Sequence, residues 1–91
     1  MLERNQRMKK WLATYGIKAM PKYIDNGSMR GTWRLYGAGS WYDKPELWEK
    51  LTALGFVDYD GDKLDRYSGN GGQFSIFPIL KNEQKMAELL G

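Results

Sequence analysis

One stretch of the sequence, residues 42–56, carries signals for both ends and for the buried face of a single helix, and it limits the fold more than any other stretch. Asp43 can act as an N-cap, and Glu46, three residues later, completes a capping box. Pro45 suits the first turn, where no backbone N–H is needed, and Gly55 suits the C-terminal end. The apolar residues recur at helical spacing and are Leu47, Trp48, Leu51 and Leu54. We therefore expect a helix with one face on the core.

Two further helices are predicted at the ends of the chain. Residues 2–15 carry an apolar stripe at helical spacing, and Gly16 follows as a C-terminal cap. The stripe consists of Met8, Trp11, Leu12 and Tyr15. Residues 83–90 form the closing helix, for which Asn82 is the expected N-cap.

The strongest hairpin signal lies between Lys18 and Tyr36, where the pair Asn26-Gly27 favours a two-residue type I′ turn. Such a turn would pair Tyr23 with Arg30, and the alternation of side chains along each strand would then separate two faces. The predicted core-facing residues are Met20, Ile24, Met29, Trp33 and Leu35, with Lys18 and Lys22 near the open end of the same face. The predicted outer residues are Tyr23, Asp25, Arg30, Thr32, Arg34 and Tyr36.

The second half of the chain is predicted to add three strands to the same sheet. A second hairpin is expected over residues 57–67 around Asp60-Gly61, and a last strand over residues 73–77, which Pro78 ends or confines to an edge. The predicted order is α-β-β-α-β-β-β-α within one domain, residues 1–91. The predicted class is α+β, a two-layer sandwich in which helices pack mainly on one face of a twisted antiparallel sheet.

The composition argues against catalysis. The chain has no cysteine and no histidine, which removes disulfides, thiolate nucleophiles, the sulfur ligands of zinc and the commonest general base. We therefore expect no enzyme activity, no cofactor and no metal site. Without cysteine, and without an apolar run long enough to cross a bilayer, a reducing, cytoplasmic setting with no membrane contact is expected.

Three motifs resemble ligand sites, and each has a simpler structural explanation. Gly37-Ala38-Gly39 lacks the third glycine of a dinucleotide fingerprint, since Tyr42 stands in its place. The loop at residues 68–72 could offer backbone N–H groups to an anion or simply join two strands, and both interpretations stay open. The third motif is an acidic cluster without the glycine and glutamate spacing of a calcium loop. It consists of Asp58, Asp60, Asp62 and Asp65.

Charge is unevenly distributed along the chain. Residues 1–36 contain eight basic and two acidic residues, whereas residues 37–91 contain six basic and nine acidic ones. One hypothesis is therefore a nucleic-acid-binding module, in which Tyr23 and Tyr36 stack on bases while cations contact phosphates. The cations of this alternative are Arg4, Arg7, Lys9, Lys10, Arg30 and Arg34.

The preferred hypothesis is docking on a protein partner. Four tryptophans, six tyrosines and three phenylalanines are many for one thin core, and aromatic residues and arginine anchor interfaces. The predicted partner-binding residues are Tyr23, Arg30, Arg34, Tyr36, Trp41 and Tyr42, with loop contacts from Gly39, Ser40, Asn70 and Gly71. Trp41 either contacts the partner or covers the start of the helix. Small domains without catalytic apparatus are typical of inhibitors and adaptors, including counter-defence proteins of phages and plasmids, an association that rests on size alone.

Overall fold

Three helices and two small antiparallel sheets make up the described part of the chain, which confirms the α+β class. The structure is a computed structural model, and it describes residues 3–36, 43–68 and 75–91, with the backbone alone at position 75. The helices are α1 (Arg4–Ala13), α2 (Pro45–Ala53) and α3 (Glu83–Leu90). The strands are β1 (Met20–Tyr23), β2 (Trp33–Tyr36), β3 (Phe56–Val57), β4 (Ser75–Ile76) and β5 (Ile79–Leu80).

The strands form two sheets, and not the single sheet that was predicted. One sheet has the order β1-β2-β4, and the other pairs β3 with β5. The predicted hairpin over residues 57–67 is therefore wrong, because Val57 pairs with Ile79 of β5 and not with a residue of its own segment. Pro78 lies between β4 and β5, and its carbonyl accepts a hydrogen bond from the Trp33 N–H at 2.9 Å. The chain thus crosses from one sheet to the other at Pro78.

The first helix ends where glycine was expected to end it. Gly16 has a φ of 76°, and the Ile17 N–H donates to the Leu12 carbonyl while the Gly16 N–H donates to that of Ala13. This is the hydrogen-bond pattern of a Schellman motif. Met8 and Leu12 of the predicted stripe are fully buried. Tyr15 is 48% exposed, and its ring lies edge-on to that of Trp11, with 6.1 Å between the ring centres.

The second helix begins one residue later than the capping box requires. Its N-cap is Lys44, without a side-chain cap bond, and Pro45 is in the first turn. A proline disfavours helical backbone at the residue before it, and Lys44 accordingly has a φ of −130° and a ψ of 60°. The predicted cap at Asp43 with Glu46 is therefore wrong. Gly55, with a φ of 103°, ends this helix as expected.

The first hairpin has a register three residues away from the predicted one. Tyr23 pairs with Trp33, and Met20 pairs with Tyr36. A type I′ turn needs positive φ at both central residues, and Asn26 has none, since every positive φ in the described chain belongs to a glycine. A wider connection replaces the tight turn. In this connection the Ile24 N–H donates to the Thr32 carbonyl.

This difference of three residues in register exchanges the two faces of β1. Pro21 is buried, whereas Met20 and Lys22 are exposed. The predicted register would have placed Lys22 against the core, and burial of an unpaired ammonium group is costly. The observed register avoids that cost. The predicted inward position of Met20 and outward position of Tyr23 are wrong for the same reason.

The free edge of β1 is protected from pairing with another strand. The side-chain oxygen of Asn5 accepts a hydrogen bond from the Tyr23 N–H at 2.9 Å, so this N–H points away from β2. By the period of two, the nitrogen of Pro21 faces the same edge, where a proline costs no ladder bond. Asn5 and Pro21 therefore close an edge that would otherwise be open to aggregation.

The closing helix is capped as predicted. The side chain of Asn82 accepts from the Lys85 N–H at 3.0 Å, which satisfies one of the unpaired donors of the first turn. We expect Asn82→Ala to lower the free energy of unfolding by about 1 kcal/mol, measured by urea denaturation. Gln84→Ala, which removes an exposed amide from the same helix, is the matched control, and an equal loss in both variants would contradict the capping role.

Candidate functional site

The outer face of the β1-β2-β4 sheet carries the most distinctive combination of side chains. We define this surface, the outer face, by Met20, Lys22, Arg34, Tyr36 and Phe77. The members in β1 and β2 alternate along their strands with more buried residues, which places them on the side away from the core. Phe77 follows β4 and joins them through its contact with Arg34. Met20 is 55% exposed. Met20 faces Tyr36, and Lys22 faces Arg34, as direct partners across the strand pair.

Arg34 organises the aromatic part of the outer face. The central carbon of its guanidinium group lies 4.3 Å from the ring centre of Tyr36 and 5.3 Å from that of Phe77. Both distances are within the range of cation–π attraction. The Nε atom of Arg34 is buried and has no hydrogen-bond partner in the described chain. The arginine is thus fixed by two rings and not by a carboxylate.

The two cations of the outer face lie opposite each other, and no salt bridge among the described residues neutralises either of them. Like charges on directly opposed residues destabilise a sheet, yet Lys22 and Arg34 occupy such positions. The salt bridges among the described residues join Arg4 to Asp25 and Lys85 to Glu88, and neither involves these two cations. The outer face therefore presents positive charge to any molecule that approaches it.

A groove continues the outer face toward α1. Its volume is about 320 Å³, at the small end of the range for ligand pockets. The walls include Met20 and Tyr36 of the outer face, and two lysines supply its charged groups. The groove is lined by Lys9, Ala13, Ile17, Lys18, Ala19, Met20 and Tyr36. None of these residues is acidic.

The structure separates two residues that the sequence placed together on the outer face. Tyr23 points toward the core, where its ring lies 5.0 Å from that of Trp33, so its predicted outer position is wrong. Arg30 lies in the connection between β1 and β2, where its backbone N–H donates to the Gly27 carbonyl. Arg34 and Tyr36 do lie together on the outer face, and whether they bind a partner stays a prediction.

The basic residues of α1 that were predicted to contact a nucleic acid also fall into two groups. Arg4 forms a salt bridge with Asp25 at 2.7 Å and lies over the Tyr23 ring, 5.1 Å from its centre. The Nε of Arg7 donates to the Leu89 carbonyl at 2.8 Å. Both arginines are therefore engaged by contacts within the chain. Lys9 and Lys10 are exposed, and Lys9 joins the groove.

The Arg4–Asp25 pair should be visible in a pH titration. The hydrogen bond from Arg4, and its positive charge, lower the pKa of Asp25 below the ordinary value of 3.8. A lowered folded-state pKa adds stability above the unfolded-state pKa, and that stability is lost as the pH falls through the folded value. We expect the carboxyl carbon signal of Asp25 to titrate below pH 3.8, and Arg4→Gln to raise the midpoint. Equal midpoints would contradict the pairing.

The acidic cluster is a folded loop. One oxygen of Asp58 accepts from the N–H groups of Asp60 and Asp62, and Asp65 accepts from the Tyr67 N–H. The bonds between Asp58 and Asp60 and between Asp65 and Tyr67 span two residues and are Asx turns, which organise the chain without a ligand. Over the described ranges, no group of three or more acidic side chains is placed to hold a metal ion. The loop leaves Tyr59 and Tyr67 58% and 76% exposed.

The sequence analysis missed some residues of the outer face and the groove, and some of the contacts it predicted lie outside the described residues. Met20, Lys22, Lys18 and Phe77 were not proposed as binding residues. The sequence contains a signal for Met20 and Lys22. A proline such as Pro21 belongs at the free edge of a sheet, and its two neighbours in the strand point to the face opposite its own. The predicted contacts outside the described residues are Gly39, Ser40, Trp41, Tyr42, Asn70 and Gly71. These contacts stay predictions.

Comparison of the chain with protein-family models, curated proteins and solved structures finds no match. The function is therefore inferred from the site alone. Within residues 3–36, 43–68 and 75–91, no helix has the length and apolar character that a membrane crossing requires. The absence of enzyme activity, expected from composition, stays a prediction.

Proposed function

We propose that this chain is a non-enzymatic binding protein, an inhibitor or adaptor, that docks on a protein partner through the outer face. The observation that carries the proposal is the uncompensated pair of Lys22 and Arg34 beside Met20 and Tyr36. Two opposed cations that no described acidic side chain neutralises destabilise the sheet, and this cost is offset if an external molecule supplies the negative charge. Arginine, tyrosine and methionine are also enriched where proteins meet.

The proposal depends on an open sheet surface. In a two-layer arrangement, helices cover the inner side of the β1-β2-β4 sheet, which carries the buried Pro21, Trp33, Leu35 and Ile76. The opposite side is then available to a partner. The edge of β1 is closed by Asn5, so docking at this end of the face would use side chains and not the addition of a strand to β1.

The arrangement of the rings favours a protein partner over a nucleic acid. Base stacking uses exposed aromatic faces. One side of Tyr36 lies under the guanidinium of Arg34, and Tyr23 packs against Trp33. The two tyrosines therefore do not form a common stacking platform. Nucleic-acid binding stays the alternative, since the cations of the outer face would attract any polyanion.

Photo-crosslinking tests the proposal. A photoreactive phenylalanine analogue replaces Phe77 of the outer face in one version of the protein, which keeps both cations, and Lys81, which follows β5, in a control version. Crosslinked partners are identified, purified and titrated against the wild-type chain. We expect a partner captured from position 77 but not from position 81, with affinity that falls when Tyr36 is replaced by alanine. Salt-sensitive binding of RNA or single-stranded DNA without any protein partner would overturn the proposal in favour of the alternative.

A further inference from the structure

We infer that the groove beside the outer face receives one large apolar side chain from an acidic segment of the protein partner. This inference rests on the proposed function and specifies the chemistry of the partner. The groove and the outer face form one continuous surface, because Met20 and Tyr36 belong to both. A segment that fills the groove would therefore also reach Lys22 and Arg34.

The lining defines the apolar part of the occupant. Ala13, Ile17 and Ala19 offer only carbon atoms from their side chains, and Ile17 and Ala19 are themselves buried. A volume of about 320 Å³ suits one or two side chains and is small for a larger ligand. Buried apolar anchors that fill pockets supply most of the binding energy at interfaces. A leucine, methionine or phenylalanine side chain fits this description.

The charges define the rest of the segment. Lys9 and Lys18 line the groove and are both exposed, and the described residues that line it with them include no acidic one. With Lys22 and Arg34 nearby on the outer face, the described surface carries four positive charges around one apolar depression. Complementary potentials across an interface steer association and exclude wrong partners. The flanks of the anchor should therefore carry aspartate and glutamate.

The chain itself contains a segment of related chemistry, which provides an alternative occupant. Tyr59 is exposed and is flanked by Asp58 and Asp60. If this loop entered the groove of a second copy, the contact would be head-to-tail and would lead to rings or open chains. A partner segment is the better occupant, because hydrogen bonds to the Asp58 side chain hold Tyr59 within a short, closed loop, whereas a groove is better filled by an extended segment. Self-association is therefore an outcome of the test that would overturn the inference.

Selection from a library of random peptides, displayed against the immobilised full chain, tests the inference. We expect the enriched peptides to contain more aspartate and glutamate than the library, together with one large apolar residue. A labelled copy of an enriched peptide is then titrated by fluorescence anisotropy. Affinity should fall about tenfold for Met20→Glu, about 1.4 kcal/mol, and by a smaller factor for Lys18→Gln. It should stay unchanged for the control Lys81→Gln and weaken with salt.

Other outcomes would overturn the inference. These are no enriched peptide, peptides without an acidic bias, equal binding to Met20→Glu, and a wild-type chain that associates with itself at the concentrations used. The exposed positions of Met20 and Lys18 mean that both variants should keep the melting temperature of the wild type. If capture of a protein depends on Arg34 but not on Met20 or Lys18, the groove inference fails while the proposed function stands. If no protein is captured through the outer face, the proposed function itself fails.

Discussion

Trp33→Ala is expected to lower the free energy of unfolding by about 3–5 kcal/mol, the usual cost of removing a large aromatic side chain from a core. Trp33 is completely buried in the central strand of the larger sheet. Its ring lies 5.0 Å from that of Tyr23, and its Nε1–H donates to the sulfur of Met86 at 3.3 Å. This substitution would therefore leave a cavity and remove one contact between the sheet and α3.

Urea denaturation measures this loss as a lower midpoint with an unchanged dependence on denaturant. Tyr67→Ala is the control, since Tyr67 is 76% exposed, and a surface substitution of this kind usually changes stability by less than about 0.5 kcal/mol. A loss below about 1 kcal/mol for Trp33→Ala would show that the ring is not at the centre of the core.

Arg34→Ala is expected to weaken binding of the crosslinked partner by about 30-fold or more, which corresponds to about 2 kcal/mol and marks a hot spot. Arg34 connects Tyr36 and Phe77, so its removal takes away a charge and releases both rings. The measurement is the dissociation constant for the purified partner, with the melting temperature recorded for each variant.

Arg34→Lys distinguishes the two kinds of partner. Lysine keeps the charge but lacks the planar group that stacks between rings. If the arginine acts as a stacked anchor for a protein, Arg34→Lys should lose most of the affinity that Arg34→Ala loses. If it only neutralises a phosphate, lysine should restore most of the affinity. Full activity of Arg34→Lys toward the protein partner would contradict the stacked arrangement as the basis of docking.

The helices could be predicted because their signals are local. Gly16 ends α1 through hydrogen bonds to its own last turn, and Asn82 caps α3 through Lys85. The capping box of α2 failed for an equally local reason, since Pro45 moved the cap to Lys44. Interactions within one turn of helix need no knowledge of the rest of the chain.

The strand register could not be predicted from the turn alone. Asn26-Gly27 favours a tight turn, but the register also decides whether Lys22 is buried and whether Pro21 faces a free edge. Those consequences depend on Asn5 and α1, which lie far away in the sequence. Tertiary packing therefore overrode the turn preference, as it often does for strands.

The candidate site was predicted in part for the same reason. Arg34 and Tyr36 alternate with the apolar Trp33 and Leu35, so their face follows from β2 alone. Met20, Lys22 and Phe77 join them only through the pairing of β1 and β4 with β2. Tyr23 left the predicted site when the register slipped by three residues.

The most direct test of docking through the outer face is an NMR titration of the isotope-labelled chain with the purified partner. We expect the amide and side-chain signals of Met20, Lys22, Arg34, Tyr36 and Phe77 to change most, while those of Tyr59 and Tyr67 in the acidic loop stay constant. Changes confined to the acidic loop, or none on the outer face at saturation, would contradict docking through the outer face.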